Sequence, residues 1–238
     1  MPDVITSKDN EKLKLVRKLH QRRHRDREGL FLTEGEDLLE AALAAGIEPV
    51  ALLTLHGEGL GGEQVSADAL ASASTLGSGT RAIAVWRQEW APITGQVCVY
   101  LHEVSDPGNV GAIVRTAHAL VEGAVVIGPN CADPYSPKAV RATMGSIFAQ
   151  PIARGGVEET PPPRFALVAH GGRPIERMAL SSSLTLVLGS ERTGLPRDVL
   201  DQCDDQFTIP LRAGAESLNV AAAAAIALQR ISSEAAGG

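Results

Sequence analysis

Four short, continuous apolar runs recur in the second half of the chain, and they constrain its fold more than any other feature. They are Val97–Leu101, Ala124–Ile127, Phe165–Ala169 and Leu184–Leu188. Strands that are buried on both faces of a parallel sheet read as continuous apolar runs, without alternation of apolar and polar residues. Helical segments separate the runs, Thr208-Ile209 is a candidate fifth strand, and Leu218–Ile231 forms an alanine-rich final helix. The second half is therefore predicted to be an α/β domain built on a parallel sheet.

The first ninety residues alternate strands and helices in the same way, on a smaller scale. Strands are predicted at Leu30–Leu32, Val50–Leu55 and Ala82–Trp86, and helices at residues 8–26, Glu36–Ala45 and Ala67–Ser74. The segment 87–96 is polar and carries proline and glycine, which is typical of a domain boundary. We therefore predict a small α/β domain over residues 1–90 and a second domain over residues 93–238.

A basic segment near the amino terminus helps to indicate which class of molecule the protein binds. The formal net charge of the chain is −6, which argues against nucleic acid, but the distribution of charge matters more than its sum. The basic side chains between residues 8 and 27 are Lys8, Lys12, Lys14, Arg17, Lys18, Arg22, Arg23, Arg25 and Arg27. Only Asp9, Glu11 and Asp26 oppose them. Such a patch attracts phosphates, so its last four arginines are candidate RNA-binding residues. The alternative is a solvated helix face.

Several classes of protein are disfavoured by what the sequence lacks. Cys98, Cys131 and Cys203 are far apart without metal-ligand spacing, so we expect no metal site. No apolar run approaches the roughly 20 residues of a membrane-spanning helix. The first residues lack the regions of a signal peptide, so a cytoplasmic location is expected. Aromatic residues make up 3% of the chain, which leaves little for base stacking. Neither a dinucleotide-binding glycine fingerprint nor a P-loop follows any predicted strand.

Three short segments at predicted strand ends and helix starts carry the candidate chemistry. They are residues 106–115 (DPGNVGAIVR), 188–196 (LGSERTGLP) and 209–220 (IPLRAGAESLNV). In the first, Asn109 is a suitable helix cap, and Arg115 falls on the face opposite the apolar stripe. In the second, a strand ends in Gly189, where a ligand can approach the backbone. In the third, Ser217 and Asn219 flank a helix start, whose free N–H groups can hold a nucleotide or an RNA phosphate. Each segment alone also fits a plain capped helix or a strand-to-helix turn.

Together, and in this order, the three segments resemble the signature motifs of the SpoU/TrmH family, the RNA ribose methyltransferases of the SPOUT superfamily. The resemblance covers residues 97–230 and implies a trefoil knot at the carboxyl end of the chain. It implies catalytic roles for Asn109, Arg115 and Glu191, and an RNA contact for Ser217. The residues that it implies for holding S-adenosylmethionine are Leu188, Gly189, Ser190, Gly194, Ile209, Leu211, Leu218 and Asn219. The chain departs from the family at Ala221, where serine is common.

What the resemblance implies for function is S-adenosylmethionine-dependent methylation of ribose 2′-hydroxyl groups in structured RNA. The amino-terminal domain resembles the ribosomal-protein-like RNA-binding extension of members that modify large-subunit rRNA, whereas members acting on tRNA more often have short helical extensions. We therefore expect 23S rRNA as the substrate, with tRNA as the alternative. Family members pair their knotted domains, so a homodimer through the carboxyl-terminal domain is expected. Two other classes stay open: a catalytically inactive RNA-binding or ribosome-assembly protein, and a flavodoxin-like enzyme that acts on small molecules.

Overall fold

The computed structural model describes residues 4–76, 79–178 and 183–235 of the chain, and its contacts divide the chain into two compact units. The first unit comprises Met1–Glu89 and Tyr135–Phe148, and the second comprises Trp90–Pro134 and Ala149–Gly238. The main division falls close to the predicted boundary. The segment 135–148 has its contacts with the first unit, although it lies within the range predicted for the second domain, 93–238.

Aromatic packing explains why this segment joins the first unit. The ring centroid of Tyr135 lies 4.9 Å from that of Phe31, and the ring of Phe148 lies 4.9 Å from that of Trp86. Aromatic side chains bury large areas and dominate the energetics of cores. These pairs join residues far apart along the chain, so the local sequence pattern did not indicate them.

The helices and strands of the described residues have the following bounds. The helices are α1 Glu11–Leu19, α2 Arg22–Glu28, α3 Glu36–Ala44, α4 Ala67–Ala71, α5 Pro107–Leu120, α6 Pro137–Thr143, α7 Arg197–Leu200 and α8 Val220–Ala235. The strands are β1 Leu30–Glu34, β2 Ala51–Leu55, β3 Glu63–Val65, β4 Ala82–Arg87, β5 Val97–Leu101, β6 Val125–Ile127, β7 Ile152–Arg154, β8 Arg164–Leu167, β9 Arg173–Pro174, β10 Leu184–Leu188 and β11 Asp205–Thr208. No helix among these residues is long and apolar enough to span a membrane.

The first unit is built on a four-stranded sheet in the order β1-β4-β2-β3. Strand β4 pairs antiparallel with both β1 and β2, and β3 pairs parallel with β2. The apolar stripe of α1, formed by Leu13, Val16 and Leu19, is fully buried in the core of this unit. The small α/β architecture predicted for the first ninety residues is therefore present.

The single helix predicted over residues 8–26 is two helices in the structure. The apolar stripe of α1 stops at Leu19, and Gln21 adopts an extended backbone with φ −99° and ψ 130°. Arg25 folds back, and its Nη1 donates a 2.8 Å hydrogen bond to the carbonyl oxygen of Leu19. This bond satisfies one of the carbonyl groups that a helix end leaves without an intrahelical partner. The chain therefore breaks where apolar side chains can no longer hold the helix against the core.

The second unit contains a seven-stranded sheet in the order β7-β6-β5-β10-β8-β11-β9, with every adjacent pair parallel. The predicted parallel sheet is confirmed, and β5 and β10 match their predicted bounds. The sequence pattern missed β7 and β9, because they have only three and two residues and carry no apolar run. Since the strands are parallel, their carboxyl ends share one edge, where α/β sheets bind ligands.

Candidate active site and cofactor cavity

Side chains from all three segments meet at the carboxyl edge of the seven-stranded sheet. Asn219 Nδ2 donates a 3.0 Å hydrogen bond to Asn109 Oδ1. Asn109 Nδ2 in turn donates to Glu191 Oε1. The three residues are 82 and 110 positions apart along the chain, so the fold alone brings them together. We call this arrangement the amide chain.

The positions of the two asparagines follow from helix capping. Asp106, and not Asn109 as the sequence suggested, caps α5, and its Oδ1 accepts bonds from the backbone N–H groups of Gly108 at 2.6 Å and Asn109 at 3.1 Å. The Asn109 side chain is therefore free for the site. Asn219 does cap α8, and its Oδ1 accepts from the N–H groups of Ala221 and Ala222 at 2.9 and 3.3 Å.

These caps determine the direction of every bond in the amide chain. Because the oxygen of Asn219 accepts from the α8 backbone, its NH₂ group is the end that donates to Asn109. The oxygen of Asn109 is thereby occupied, so its own NH₂ group donates to Glu191. An ionised carboxylate can only accept hydrogen bonds, so this direction matches a charged Glu191.

A tight loop after β10 carries Glu191. The N–H of Gly194 donates to Ser190 O at 3.0 Å, and Thr193 is bonded to Ser190 both by its backbone N–H at 3.2 Å and by its hydroxyl at 2.7 Å. Gly194 has a φ of +68°, in the region that favours glycine. A Cβ on Gly189 would lie 2.5 Å from the carbonyl carbon of Gly194, so the loop can close over the strand end only with glycine there.

A cavity of about 550 Å³ lies at the same edge of the sheet. Among the residues predicted to hold a cofactor, those that line it are Leu188, Gly189, Ser190, Gly194, Ile209, Leu211 and Leu218. Asn219 is not among the lining residues, since its side chain caps α8 within the amide chain. Glu191 and Ser217 also line the cavity. The sequence predictions missed the residues that follow β8, Val168, Ala169 and His170, although that predicted strand ends at the same edge.

This cavity fits S-adenosylmethionine. Its volume lies within the range of about 300–1,000 Å³ that is usual for ligand pockets. Leucine, isoleucine and valine side chains supply an apolar wall, and Gly189 lines the cavity at the end of β10. Charged and hydroxyl groups from the loops after β10 and β11 complete the lining.

Arg115 does not join the amide chain. It is exposed on α5, whose opposite side buries Val110, Ile113, Val114 and Ala117. Six residues of α-helix correspond to about 240° of rotation from Asn109, so the two side chains leave α5 in different directions. Among the described residues, Arg115 has no hydrogen bond or ion pair with a side chain or the backbone.

The basic segment of the first unit is only partly available to a ligand. Arg22, Arg23 and Arg27 are exposed, but Arg22 lies 3.6 Å from Asp26 and Arg27 lies 2.6 Å from Glu28. Exposed ion pairs of this kind are weak and exchange readily for other partners. Arg25 is different, because it is only 3% exposed and is bonded to Leu19. Its assignment as an RNA-binding residue is therefore wrong, and its role is structural.

Two cysteines and one tyrosine of the second unit are buried or partly buried and are not activated as nucleophiles. Burial raises the pKa of Cys131 to about 11 and that of Cys203 to about 11. Burial also raises the pKa of Tyr100 to about 12. These groups therefore stay protonated near neutral pH. The described residues contain no cluster of three or more histidine, cysteine and acidic side chains that could hold a metal ion.

Comparison with known proteins identifies the family. A model of the SpoU rRNA methylase family matches residues 96–229, and a model of the MRM3-like substrate binding domain matches residues 10–96. The chain is 32% identical to the 23S rRNA (guanosine(2553)-2'-O)-methyltransferase RlmP of Bacillus subtilis, over 93% of this chain and 96% of that one. The AdoMet-bound rRNA methyltransferase from Sinorhizobium meliloti superposes with a TM-score of 0.87 at 29% identity, covering 98% of each chain. The SpoU methyltransferase AviRb from Streptomyces viridochromogenes, in complex with AdoMet, superposes with a TM-score of 0.85 at 25% identity, covering 96% of this chain and 99% of that one. With both of its units matched and its three segments assembled at one edge of the sheet, the chain belongs to the SpoU rRNA methylase family.

Proposed function

We propose that this protein methylates the ribose 2′-hydroxyl of a nucleotide in 23S rRNA, with S-adenosylmethionine as the methyl donor. The observation that carries the proposal is the amide chain, which ends on Glu191 in the wall of the cofactor cavity. The relative RlmP is a 23S rRNA 2′-O-methyltransferase by name, and similar solved structures bind AdoMet. Family membership sets aside the flavodoxin-like alternative. A substrate in the ribosome implies a cytoplasmic location.

S-adenosylmethionine supplies, when bound, a methyl group that its sulfonium already activates. The task of the protein is then to align the ribose hydroxyl with that carbon, which is worth many orders of magnitude in rate. Glu191 and Asn109 are proposed to orient the hydroxyl, because the α8 cap fixes the direction of the hydrogen bonds that run from Asn219 through Asn109 to Glu191. Ser217 is exposed in the cavity wall and is proposed to contact the RNA.

Arg115 is proposed to hold an RNA phosphate beside the reacting nucleotide. Its guanidinium is a very poor base, so a positioning role suits it better than proton removal. The Arg115→Ala variant should lose turnover while its Kd for S-adenosylhomocysteine stays unchanged, because Arg115 does not line the cavity. Steady-state kinetics and calorimetry measure the two quantities. Turnover at the wild-type rate would return Arg115 to the status of an ordinary exposed side chain.

The first unit is proposed to bind the RNA through the exposed basic side chains of α1 and α2. Lys18, Arg22, Arg23 and Arg27 are exposed on these helices, and their charge contrasts with the net charge of −6 of the whole chain. A concentrated positive surface on an acidic protein steers a polyanion to one place.

A homodimer through the second unit is proposed as the active form. In one subunit, Leu218 is 38% exposed and Ile226 is 42% exposed, and the loop 212–219 is exposed throughout. Part of this loop lines the cofactor cavity, so a single subunit leaves one wall of the cavity open to water. A second copy would cover that wall and bury the apolar side chains, in keeping with the pairing that the family resemblance implies.

Methylation in vitro tests the proposed function. Purified protein is incubated with methyl-labelled S-adenosylmethionine and unmodified 23S rRNA, 16S rRNA or tRNA. We expect one 2′-O-methyl nucleotide in 23S rRNA, located by nuclease digestion and mass spectrometry. Labelled tRNA would favour the tRNA alternative. RNA binding without label in any substrate would favour the inactive RNA-binding alternative.

A further inference from the structure

The wall of the cofactor cavity carries four ionisable side chains: His170, Glu191, Arg192 and Glu216. Glu191 is already bonded to Asn109. Arg192 follows β10 and Glu216 follows β11, and both are exposed. Neither has a hydrogen bond or ion pair within the part of the chain that the structure describes. The cavity therefore contains one positive and one negative group whose bonding capacity is free.

Other arginines of the same unit do pair with nearby acids. Arg173 lies 2.5 Å from Asp205, and Arg197 lies 3.8 Å from Asp201. Arg192 and Glu216, by contrast, are not within ion-pair distance of one another, although they line the same cavity. Because the positive Arg192 and the negative Glu216 do not pair with one another, they suit a ligand that carries a negative and a positive group of its own.

The methionine end of S-adenosylmethionine is such a ligand, because it has an α-carboxylate and an α-ammonium group on one carbon. We propose that Arg192 binds the α-carboxylate and Glu216 binds the α-ammonium group, an arrangement that rests on the proposed function. A guanidinium matches a carboxylate with two parallel donors, and a carboxylate accepts the N–H groups of an ammonium. The apolar part of the wall, with Ile209 and Leu211, is left for the adenosine.

This zwitterion clamp also fits the charge balance of the site. Glu191, Glu216 and Arg192 together carry one net negative charge, while S-adenosylmethionine carries one net positive charge. Arg192 is also the residue next to Glu191, in the loop closed by Ser190 and Thr193. Binding of the α-carboxylate would therefore hold the loop that presents Glu191.

Calorimetry with the full chain, without RNA, separates the two contacts. The ligands are S-adenosylhomocysteine, its decarboxylated analogue, its deaminated analogue, and 5′-methylthioadenosine, which lacks the amino-acid end. Arg192→Ala should weaken S-adenosylhomocysteine about tenfold or more, since charge-assisted hydrogen bonds are among the stronger ones. It should not change the Kd of the decarboxylated analogue or of 5′-methylthioadenosine. Glu216→Gln should weaken S-adenosylhomocysteine and leave the deaminated analogue unchanged.

Matched variants serve as controls. Arg212→Ala removes an exposed arginine from the loop after β11 that does not line the cavity, and it should bind all four ligands like the wild type. Arg192→Lys keeps the charge without the two parallel donors and should show an intermediate Kd for S-adenosylhomocysteine.

Each contrary outcome identifies its own cause. Equal weakening of all four ligands by Arg192→Ala would mean that Arg192 only supports the loop, and the clamp would be wrong. Unchanged ligand binding with weaker RNA binding would make Arg192 an RNA contact, which also overturns the clamp. If the wild type binds neither S-adenosylhomocysteine nor 5′-methylthioadenosine, the proposed function itself fails.

Discussion

Both the oxygen and the nitrogen of the Asn219 amide form hydrogen bonds. These bonds determine which groups donate and which accept from Asn219 through Asn109 to Glu191. The oxygen of Asn219 caps α8 and its nitrogen donates to Asn109, so the oxygen of Asn109 is occupied and its nitrogen faces the carboxylate. Neither amide can rotate by half a turn without breaking two bonds. Aspartate has nearly the same shape as asparagine, but it has no donor to offer Glu191. The site therefore depends on amide chemistry at position 109 more than on side-chain volume.

Asn109→Asp should accordingly abolish most of the activity. The new carboxylate would accept from Asn219 but repel Glu191, and misplacing a group near the reacting atoms lowers the rate by about 100-fold. The Kd of S-adenosylhomocysteine should change little, because Asn109 does not line the cavity. The control is Asn130→Asp, which alters an asparagine bonded to Glu103 at 2.9 Å outside the cavity. Equal kcat values for the two variants would contradict this role of Asn109.

Glu34 is expected to make the stability of the first unit depend on pH. It is 5% exposed and accepts bonds from the backbone N–H of Thr75 at 3.0 Å and from the hydroxyls of Thr75 and Ser74. Burial acts to raise the pKa of Glu34, but these hydrogen bonds outweigh it and hold the pKa below the ordinary value of 4.5. A carboxyl whose pKa is lowered by folding stabilises the fold above its unfolded pKa and loses that contribution as the pH falls through its folded pKa.

Glu34→Gln should therefore destabilise the protein by about 1–3 kcal/mol near neutral pH, because a buried network loses its charged acceptor. The destabilisation relative to the wild type should begin to narrow as the pH falls below the unfolded pKa of about 4.5, and it should be lost as the pH falls through the lower folded pKa, where the wild-type carboxyl also becomes protonated. Thermal unfolding of the full chain over a pH series measures both. The exposed Glu40→Gln on α3 is the matched control. If the free energies of unfolding of the two proteins differed by the same amount at all pH values, the charge of Glu34 would play no part in the stabilisation.

At the level of elements, the break between α1 and α2 sorts the arginines of the basic segment into two groups. A continued helix would place Arg25 on the face opposite the apolar stripe of Leu13, Val16 and Leu19. Instead, the extended Gln21 turns the chain, and Arg25 becomes buried against the end of α1 while Arg22, Arg23 and Arg27 stay exposed. The same residue type thus serves the fold at one position and is available to a phosphate at the others.

Two sets of substitutions separate these roles. Replacing Arg22, Arg23 and Arg27 together by alanine should weaken RNA binding and reduce the slope of log K against log salt, by a little under ~1 for each phosphate that the variant no longer neutralises. Arg25→Ala should instead lower the free energy of unfolding by about 1–3 kcal/mol and leave the salt slope unchanged. Filter binding over a salt series and chemical denaturation measure these effects. A salt slope that falls only with Arg25→Ala would reverse the assignment.

For the whole molecule, the homodimer through the second unit is a proposal that rests on the exposed loop beside the cofactor cavity and on the exposed Ile226 of α8. α8 packs on α5 through its buried side, which leaves Ile226 uncovered. The family resemblance also implies a trefoil knot among these last elements, and that knot stays a prediction.

Ile226→Glu should convert the proposed dimer into monomers, because it places a charge on the apolar face of α8 that the second subunit of the dimer would bury. Light scattering on the full chain at micromolar concentration measures the mass. Leu43→Glu is the matched control, since Leu43 is 52% exposed in the first unit and should leave the mass unchanged. A wild-type chain that is already monomeric would remove the dimer from the proposed function.

The sequence by itself determined those strands and helices that depend only on the residues of one short segment. The apolar runs Val97–Leu101 and Leu184–Leu188 predicted two buried strands with their observed bounds, and the resemblance of three motifs in order indicated both the chemistry and the family. Strand β9 was not readable, because Arg173 and Pro174 form a strand only by pairing with β11.

Tertiary structure decided what depends on residues distant in the chain. It placed the segment 135–148 with the first unit through aromatic packing, and it buried Arg25 under the end of α1. It also set the direction of the amide chain, because the meeting of α5, α8 and the loop after β10 gives the oxygen of each asparagine a donor and the nitrogen of each an acceptor. A local sequence pattern indicates whether burial or capping of a side chain stabilises the fold. It does not indicate which distant residue the side chain will contact, because that contact depends on the packing of the whole fold.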